Sequence, residues 1–315
     1  MHGRLRLVSN LVPVGVFQAS IAVFFWLLAI NAWREGHRWL ATMLWGIVFG
    51  FVVEWLNLHM GDPMYEYPAC AGSSSIVSFR SGTLCTTDIA AWVPVGWGEV
   101  LYLSTWTAQR LKIPPWARPM AAAYMAVNFD LSLDPTAQAL GLWCWNPIDV
   151  NLFNVPFNNF LGWYLVVAVY ALLARWGLSK FAPQGPGPRR GAMDFLLTGV
   201  AAALASFVFW LVKQIVAWAG AAQKDVTGRD TAIVFVVVAV VAGVFTWFHV
   251  MRSRRDHPFN WAPVIVPAYM SVVCLVLIIA LGPWAKEGAV VAFLLANLVL
   301  GLLLAAWPSL DVLTA

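Results

Sequence analysis

Residues 128–163 read NFDLSLDPTAQALGLWCWNPIDVNLFNVPFNNFLGW, and this stretch decides how the rest of the chain is interpreted. It runs from the end of one apolar segment into the next, and it contains no lysine or arginine. Its polar and large aromatic members are Asp130, Asp134, Asp149, Asn146, Asn151, Asn154, Asn158, Asn159, Trp143, Trp145 and Trp163. Uncompensated acids and amides beside bulky rings predict an enclosed site in an otherwise apolar chain.

The composition predicts a membrane protein. The chain has 315 residues, of which 61% are hydrophobic and only 11% are charged. Only helices and closed barrels satisfy their backbone groups in lipid, and the apolar runs here are about 20 residues long without strand-like alternation. The predicted fold class is therefore all-α, a polytopic integral membrane helical bundle with about nine transmembrane helices, or roughly seven to nine.

Basic residues in alternate loops predict the orientation of this bundle. The predicted spans are residues 11–32, 38–59, 89–108, 117–134, 160–177, 193–219, 231–251, 262–283 and 288–307. Most lysines and arginines lie in every second loop, which predicts an N-out, C-in protein of the cell (plasma) membrane. The two long loops, 60–88 and 135–159, then both lie outside. The net charge of +4 does not indicate nucleic acid, because these basic residues sit in short loops as orientation signals.

A proline- and glycine-rich connector divides the chain. It covers residues 179–192, includes APQGPGPRR at 182–190, and is predicted to lie on the cytoplasmic side. Residues 1–178 form an N-terminal membrane half that carries the proposed site, and residues 193–315 form a blander C-terminal half. We expect both halves to belong to one integrated membrane domain.

Four acids fall within the predicted spans of the N-terminal half. Glu54 shares a helix face with Asn57, Asp130 shares one with Asp134, and Glu99 lies in mid-span. A buried acid costs about 2.5–3.5 kcal/mol on insertion scales, so it normally faces a cavity or a partner. The neutral form is the cheapest in lipid, and a neutral carboxylic acid is a proton donor. The alternative is structural: hydrogen bonds that only join helices, or, for Asp134, the start of an Asp-Pro turn.

The remaining titratable and thiol groups predict no cofactor. The histidines show no metal-ligand spacing, and no nucleotide-binding or Ser/His/Asp signature is present. Neither a metal nor a cofactor is therefore expected.

Cys70 and Cys85 share the first outer loop, and an oxidising compartment would let them form a disulfide worth about 3 kcal/mol. Cys144 and Cys274 are predicted to be small buried apolar residues.

Four segments together resemble a known family. They are VEWLNLHMGDPMYEY (53–67), VPVGWGEVLYLS (93–104), DLSLDPTAQALGLWCW (130–145) and VPFNNFLGW (155–163). In order and spacing over about residues 45–165, they resemble the integral-membrane carotenoid hydratase family, the type that hydrates bacterioruberin precursors and gamma-carotene. The turn at 61–67 and the long loop after it depart from the family pattern, which leaves the substrate open.

The resemblance implies cofactor-independent addition of water to a terminal isoprenoid double bond. An acid protonates the alkene, aromatic faces stabilise the tertiary carbocation, and water held by amides attacks it. The expected substrate is a long isoprenoid or carotenoid that enters from the membrane lipid. The predicted proton donor is Asp130 or Glu54, with Asp130 ranked first because it shares a face with a second carboxyl.

The other predicted site residues take supporting roles. Asp134 and Glu99 are expected to tune or relay the proton, and Asn57, Asn158 and Asn159 to orient water. The predicted channel lining is Trp92, Trp97, Tyr102, Trp143, Trp145 and Trp163.

Three other functions also fit parts of the pattern. A membrane terpene cyclase would use the same protonation chemistry and yield a ring-bearing hydrocarbon. Prenyl-diphosphate chemistry is suggested by N-x-D-x-x-x-D at 128–134, but it would need Mg²⁺ and basic partners that are not nearby. A transporter would also use intramembrane acids, although no inverted repeat is visible.

Overall fold

A computed structural model describes residues 11–60, 63–73, 75–80, 82–111, 113–145, 151–181, 188–222, 228–251, 262–281, 295–301 and 303. The chain is all-α, and in the described part its short strands lie only within residues 65–90 and 144–156. The helices are α1 (Leu11–Glu35), α2 (His37–His59), α3 (Trp92–Arg110), α4 (Arg118–Leu140), α5 (Phe157–Phe181), α6 (Pro188–Ala222), α7 (Gly228–Met251) and α8 (Ala262–Leu281). Residues 295–301 are also helical, whereas the rest of the predicted ninth span lies outside the described residues.

Four helices in the described part are long and apolar enough to cross a membrane. Their apolar segments are Val14–Glu35, His37–His59, Phe157–Phe181 and Arg189–Ile215. Shorter apolar segments, Val236–Phe248 and Val264–Leu277, lie in α7 and α8. The helices α3 and α4 form where spans were predicted but do not reach the same hydropathy, because α4 carries Asp130 and Asp134 and α3 carries glycine, serine, threonine and glutamine residues besides Glu99. The length and composition of these helices support a membrane protein, while the count of nine spans and the orientation stay predictions.

Helix α4 is longer than the sequence predicted. It continues through Pro135 to Leu140 and ends at Gly141, whose φ of 69° is the left-handed conformation that glycine adopts easily at a helix end. The alternative that Asp134 begins an Asp-Pro turn is therefore wrong. Because the helix is continuous, Asp130 and Asp134 lie one turn apart on the same face.

The two long loops fold together over one end of the bundle. Their strands are β1 (Tyr65–Glu66), β2 (Ser78–Arg80), β3 (Thr83–Thr86), β4 (Ile89–Ala90), β5 (Cys144–Trp145), β6 (Asn151–Leu152) and β7 (Val155–Pro156). Strand β1 of the first loop pairs with β5 of the second, with Tyr65 opposite Trp145. A disulfide joins Cys70 to Cys85 within the first loop, and Cys144 and Cys274 are free thiols, Cys144 half-buried and Cys274 buried.

Glycines let α2 and α3 approach closely. A methyl group at Gly98 would lie 2.6 Å from the carbonyl oxygen of Met43, and one at Gly50 would overlap the Trp97 side chain. Small residues at a helix interface allow this approach in membrane bundles. The contact brings the Trp97 ring of α3 against α2, beside Glu54.

The two halves of the chain pack directly on each other. Helix α6 contacts both α2 and α5, and α8 contacts α4. In the predicted connector, α5 extends to Phe181 and α6 begins at Pro188, while residues 182–187 lie outside the described part. The proposed division into two membrane halves stays a prediction.

Candidate active site

One large cavity lies inside the bundle, beneath the paired loops. It encloses about 1200 Å³ including its opening, and helices α1 to α5, α8, residue Gly301 and both loops line it. Along α3 its wall extends from Trp92 to Thr107, which is about 22 Å at the rise of an α-helix. The cavity is therefore elongated, as a binding site for an extended apolar molecule would be.

Glu54 lies in the cavity wall with three hydrogen-bond donors on its carboxyl group. Trp97 Nε1 donates to Oε1 at 2.8 Å, and the Tyr67 hydroxyl donates to Oε2 at 2.6 Å. The Tyr65 hydroxyl also donates to Oε2. An indole N–H can only donate, so Oε1 must act as an acceptor. This surrounding matches the needs of a carboxylate rather than those of a neutral acid.

Strand β1 explains how both tyrosines reach Glu54. Tyr65 and Tyr67 alternate with exposed Glu66, so their side chains point to the same side, into the cavity. Burial, and secondly the nearby Glu54 carboxyl, raises the pKa of both phenols well above the usual range. Both hydroxyls therefore stay protonated and remain donors.

Asn57 supports this group from behind. Its Nδ2 donates to the Tyr65 hydroxyl oxygen at 3.3 Å, which leaves the Tyr65 proton free to point at Glu54. Lys213 Nζ, from α6, donates to Asn57 Oδ1 at 3.2 Å and to the carbonyl oxygen of Leu56 at 3.0 Å. A positive charge thus lies two hydrogen bonds from Tyr65. The prediction that Asn57 shares a face with Glu54 holds, although Asn57 does not line the cavity.

Asp130 and Asp134 form a second carboxyl group that differs from the first. Asn159 Nδ2 donates to Asp130 Oδ2 at 3.1 Å and also to Asp134 Oδ2. Asp134 lines the cavity, whereas Asp130 is fully buried behind it. Asp130 Oδ1 is buried and has no hydrogen-bond partner among the described residues. Two adjacent carboxyls with one shared amide donor cannot both ionise cheaply, so the pair retains a proton.

Glu99 lies near the middle of the part of α3 that lines the cavity, between Trp92 and Thr107. It lines the cavity, is 6% exposed, and its Oε1 has no hydrogen-bond partner in the described part of the chain. The alternative is that Glu99 only joins two helices by a hydrogen bond. Its Oε1 makes no such bond to the described residues.

Five tryptophans stand in the cavity wall around these acids. The rings of Trp97 and Trp163 stack with centroids 4.1 Å apart, and those of Trp92 and Trp143 stack at 5.7 Å. Trp145 packs on Tyr65 at 4.7 Å. All five predicted tryptophans line the cavity. Their faces offer π-electron density to a positive charge without a nucleophilic atom that would trap it.

Three predicted placements need correction. Tyr102 does not line the cavity: its hydroxyl donates to Asn31 Oδ1 at 2.5 Å, between α1 and α3. Asn158 is exposed and reaches only the Met64 sulfur, at 3.8 Å, because its neighbour Asn159 takes the inward face of α5. Asp130, ranked first as donor, lies behind Asp134, which is the carboxyl that faces the cavity. Asn146 and Asp149 lie outside the described residues.

Sequence reasoning missed Tyr65, Tyr67 and Lys213 as parts of the site. The Y-E-Y alternation after α2 was a signal for the tyrosines, since a strand would place both rings on one face. Lys213 has no such local signal, because its contact with α2 joins distant parts of the chain. Among the described residues, no group of three His, Cys, Asp or Glu side chains is arranged to hold a metal ion.

Fold and site together define a class: a polytopic helical membrane protein with an enclosed, tryptophan-walled cavity that carries two carboxyl centres. Within that class, residues 12–221 match the carotenoid biosynthesis protein family, and the chain belongs to this family. The matched region contains both carboxyl centres, and membership gives the protein a role in carotenoid biosynthesis. No curated protein and no solved structure matches the chain.

Proposed function

We propose that this protein is a carotenoid hydratase that protonates an isoprenoid double bond and adds water to the resulting cation. One observation carries the proposal: a tryptophan-lined cavity has in its wall a carboxyl group with three hydrogen-bond donors, Glu54, and beside it a pair of adjacent buried carboxyls, Asp130 and Asp134. Two acid groups in different surroundings are the usual arrangement for acid catalysis combined with charge stabilisation. The family membership supports a carotenoid or its precursor as the substrate.

In the first step, Asp134 transfers its proton to the terminal alkene. The π electrons form the new C–H bond, and the positive charge is left on the tertiary carbon. Asp130 shares the proton before transfer and the negative charge after it, while Asn159 holds both carboxyls through its amide nitrogen. Asp134 has this role because it is the member of the pair that lines the cavity.

The cation is stabilised by the surrounding walls. The stacked rings of Trp97 and Trp163 offer their faces, and the Glu54 carboxylate supplies a compensating negative charge. Three donors hold Glu54 before the reaction begins, so little reorganisation accompanies the appearance of charge. Glu99, deeper along α3, is proposed to tune the field or relay a proton.

In the second step, water attacks the tertiary carbon and forms a C–O bond. The proton that the water loses returns to the Asp130–Asp134 pair, so the acid is regenerated. The sum is addition of one H₂O across the double bond, with no oxidant, reductant or cofactor consumed. Asn159, which lines the cavity, orients this water through its amide.

The test is product analysis with purified protein in detergent, acyclic carotenoid substrate and H₂¹⁸O. A tertiary alcohol that carries ¹⁸O is the expected product, and the Asp134→Asn variant serves as the matched control. A ring-bearing hydrocarbon without ¹⁸O would instead identify a cyclase. Activity that appears only in sealed vesicles, with unaltered substrate, would identify a transporter and overturn the proposal.

A further inference from the structure

The hairpin of β2 and β3 presents large apolar side chains on its outward face. Strand pairing sets Phe79 opposite Leu84, and these side chains are 74% and 47% exposed. Ile76 and Val77, which lead into β2, are 79% and 63% exposed. A hairpin in water would carry polar residues on its outer face, so this pattern indicates that the outer face of the hairpin does not lie in water.

The charged residue of the hairpin points away from that face. Arg80 pairs with Thr83, and its Nη1 donates to the carbonyl oxygen of Ala71 at 2.9 Å. Strand alternation places Arg80 on the opposite side from Phe79. Thr83 and Cys85, on the inner face, are buried. Phe79 and Leu84 therefore form an apolar pair on the outward face, where Thr86 is the polar member of β3.

A contact with α1 fixes the level of the hairpin. Gln18 Nε2 donates to Thr83 Oγ1 at 2.9 Å. Gln18 lies seven residues into α1, which begins at Leu11, so it is about 10 Å along the helix from that end. Where the loop ends, the Trp92 ring meets the Phe17 ring with centroids 5.4 Å apart, at the same turn of α1. The hairpin thus lies beside the apolar segment rather than above it.

We propose that the β2–β3 hairpin is embedded in the membrane leaflet at the Val14 end of α1, with Phe79 and Leu84 against phospholipid acyl chains. Its outward face continues the exposed apolar surface of α1, where Val16 and Val23 are 48% and 57% exposed. Strand β2 is an edge strand, and its unpaired backbone groups need water or headgroups. The hairpin therefore rests at the headgroup and acyl boundary, where apolar faces reach about 5–10 Å deep.

This placement can be measured by spin labelling of the full chain. The protein, with Cys144→Ser and Cys274→Ala and its native disulfide kept, is placed in phosphatidylcholine–phosphatidylglycerol vesicles. Nitroxides are attached at Phe79→Cys or Leu84→Cys, and collisions with oxygen and with a water-soluble nickel chelate are compared. Val23→Cys on α1 is the lipid reference, and exposed Glu66→Cys on β1 is the water reference.

At positions 79 and 84, oxygen accessibility should exceed nickel accessibility several-fold, as at position 23, while position 66 should show the reverse. Greater nickel than oxygen accessibility would show that the face lies in water. Low accessibility to both reagents would show that protein covers it, such as a second copy of this chain. Either of these results at both hairpin positions overturns the proposal, and neither depends on enzyme activity.

Discussion

The two carboxyl centres of the cavity are built in opposite ways. Glu54 receives hydrogen bonds from Trp97, Tyr65 and Tyr67, and a lysine stands behind them. Asp130 and Asp134 share a single amide donor and face each other. Donors stabilise a carboxylate, whereas a second carboxyl disfavours one. Two acids in one apolar cavity can therefore differ in proton content through their neighbours.

The largest expected effect is at Asp134. Asp134→Asn keeps the size of the side chain but removes the transferable proton, so turnover should fall by about 10²–10⁴-fold, the usual contribution of a general acid. The measurement is alcohol formation by purified protein, with a gel-filtration profile like that of the wild type as the folding control. Full turnover in this variant would remove the donor role from Asp134.

Glu54→Gln should have a smaller effect. The substitution keeps a side chain that can accept from Trp97 but removes the negative charge that stabilises the cation, so kcat should fall by about 10²–10³-fold. Tyr67→Phe is the graded companion, since it removes one of the three donors and leaves the charge. We expect Tyr67→Phe to retain more activity than Glu54→Gln. Equal losses would indicate that hydrogen bonding, not charge, is the contribution of Glu54.

The adjacent asparagines at the start of α5 offer a matched pair. Asn159→Ala removes the amide that holds both aspartates, a charge-assisted interaction of about 1.5–3 kcal/mol, and should lower kcat by about 10–100-fold. Asn158→Ala changes an exposed residue and should leave kcat unchanged. Rates of both variants measured side by side check this. Equal behaviour would mean that the bridge to the aspartates does not matter for turnover.

The smallest effect is expected at Tyr102, which lies outside both centres. Tyr102→Phe loses the hydrogen bond to Asn31 and should lower the free energy of unfolding by about 0.5–1.5 kcal/mol, with kcat unchanged. Thermal unfolding in detergent and the alcohol assay measure the two quantities. A large loss of turnover at unchanged stability would return Tyr102 to the active site.

The comparison also shows how far the residues alone lead. Glu54, Asp130 and Asp134 can be identified from the sequence, because placing an acid in an apolar segment costs free energy and therefore indicates a function or a partner. Their shared faces followed from helical spacing. The ranking of Asp130 ahead of Asp134 as proton donor was not supported by the structure. Helical spacing places both aspartates on one face, but it does not say which of them reaches the cavity. Similarly, the sequence does not distinguish the adjacent residues Asn158 and Asn159. Only the orientation of α5 about its axis shows that Asn159 faces the cavity and Asn158 is exposed.

The sequence by itself therefore determined the membrane character of the chain and its candidate acids. Composition and helical period can be read from the residues alone, because they do not depend on tertiary contacts. The tertiary structure decided the neighbours of each acid. Tyr65 meets Trp145 through a pairing of two loops, Trp97 reaches Glu54 because glycines let α2 and α3 approach, and Lys213 arrives from the other half of the chain. Proton content depends on such contacts between distant residues, and no local pattern contains them.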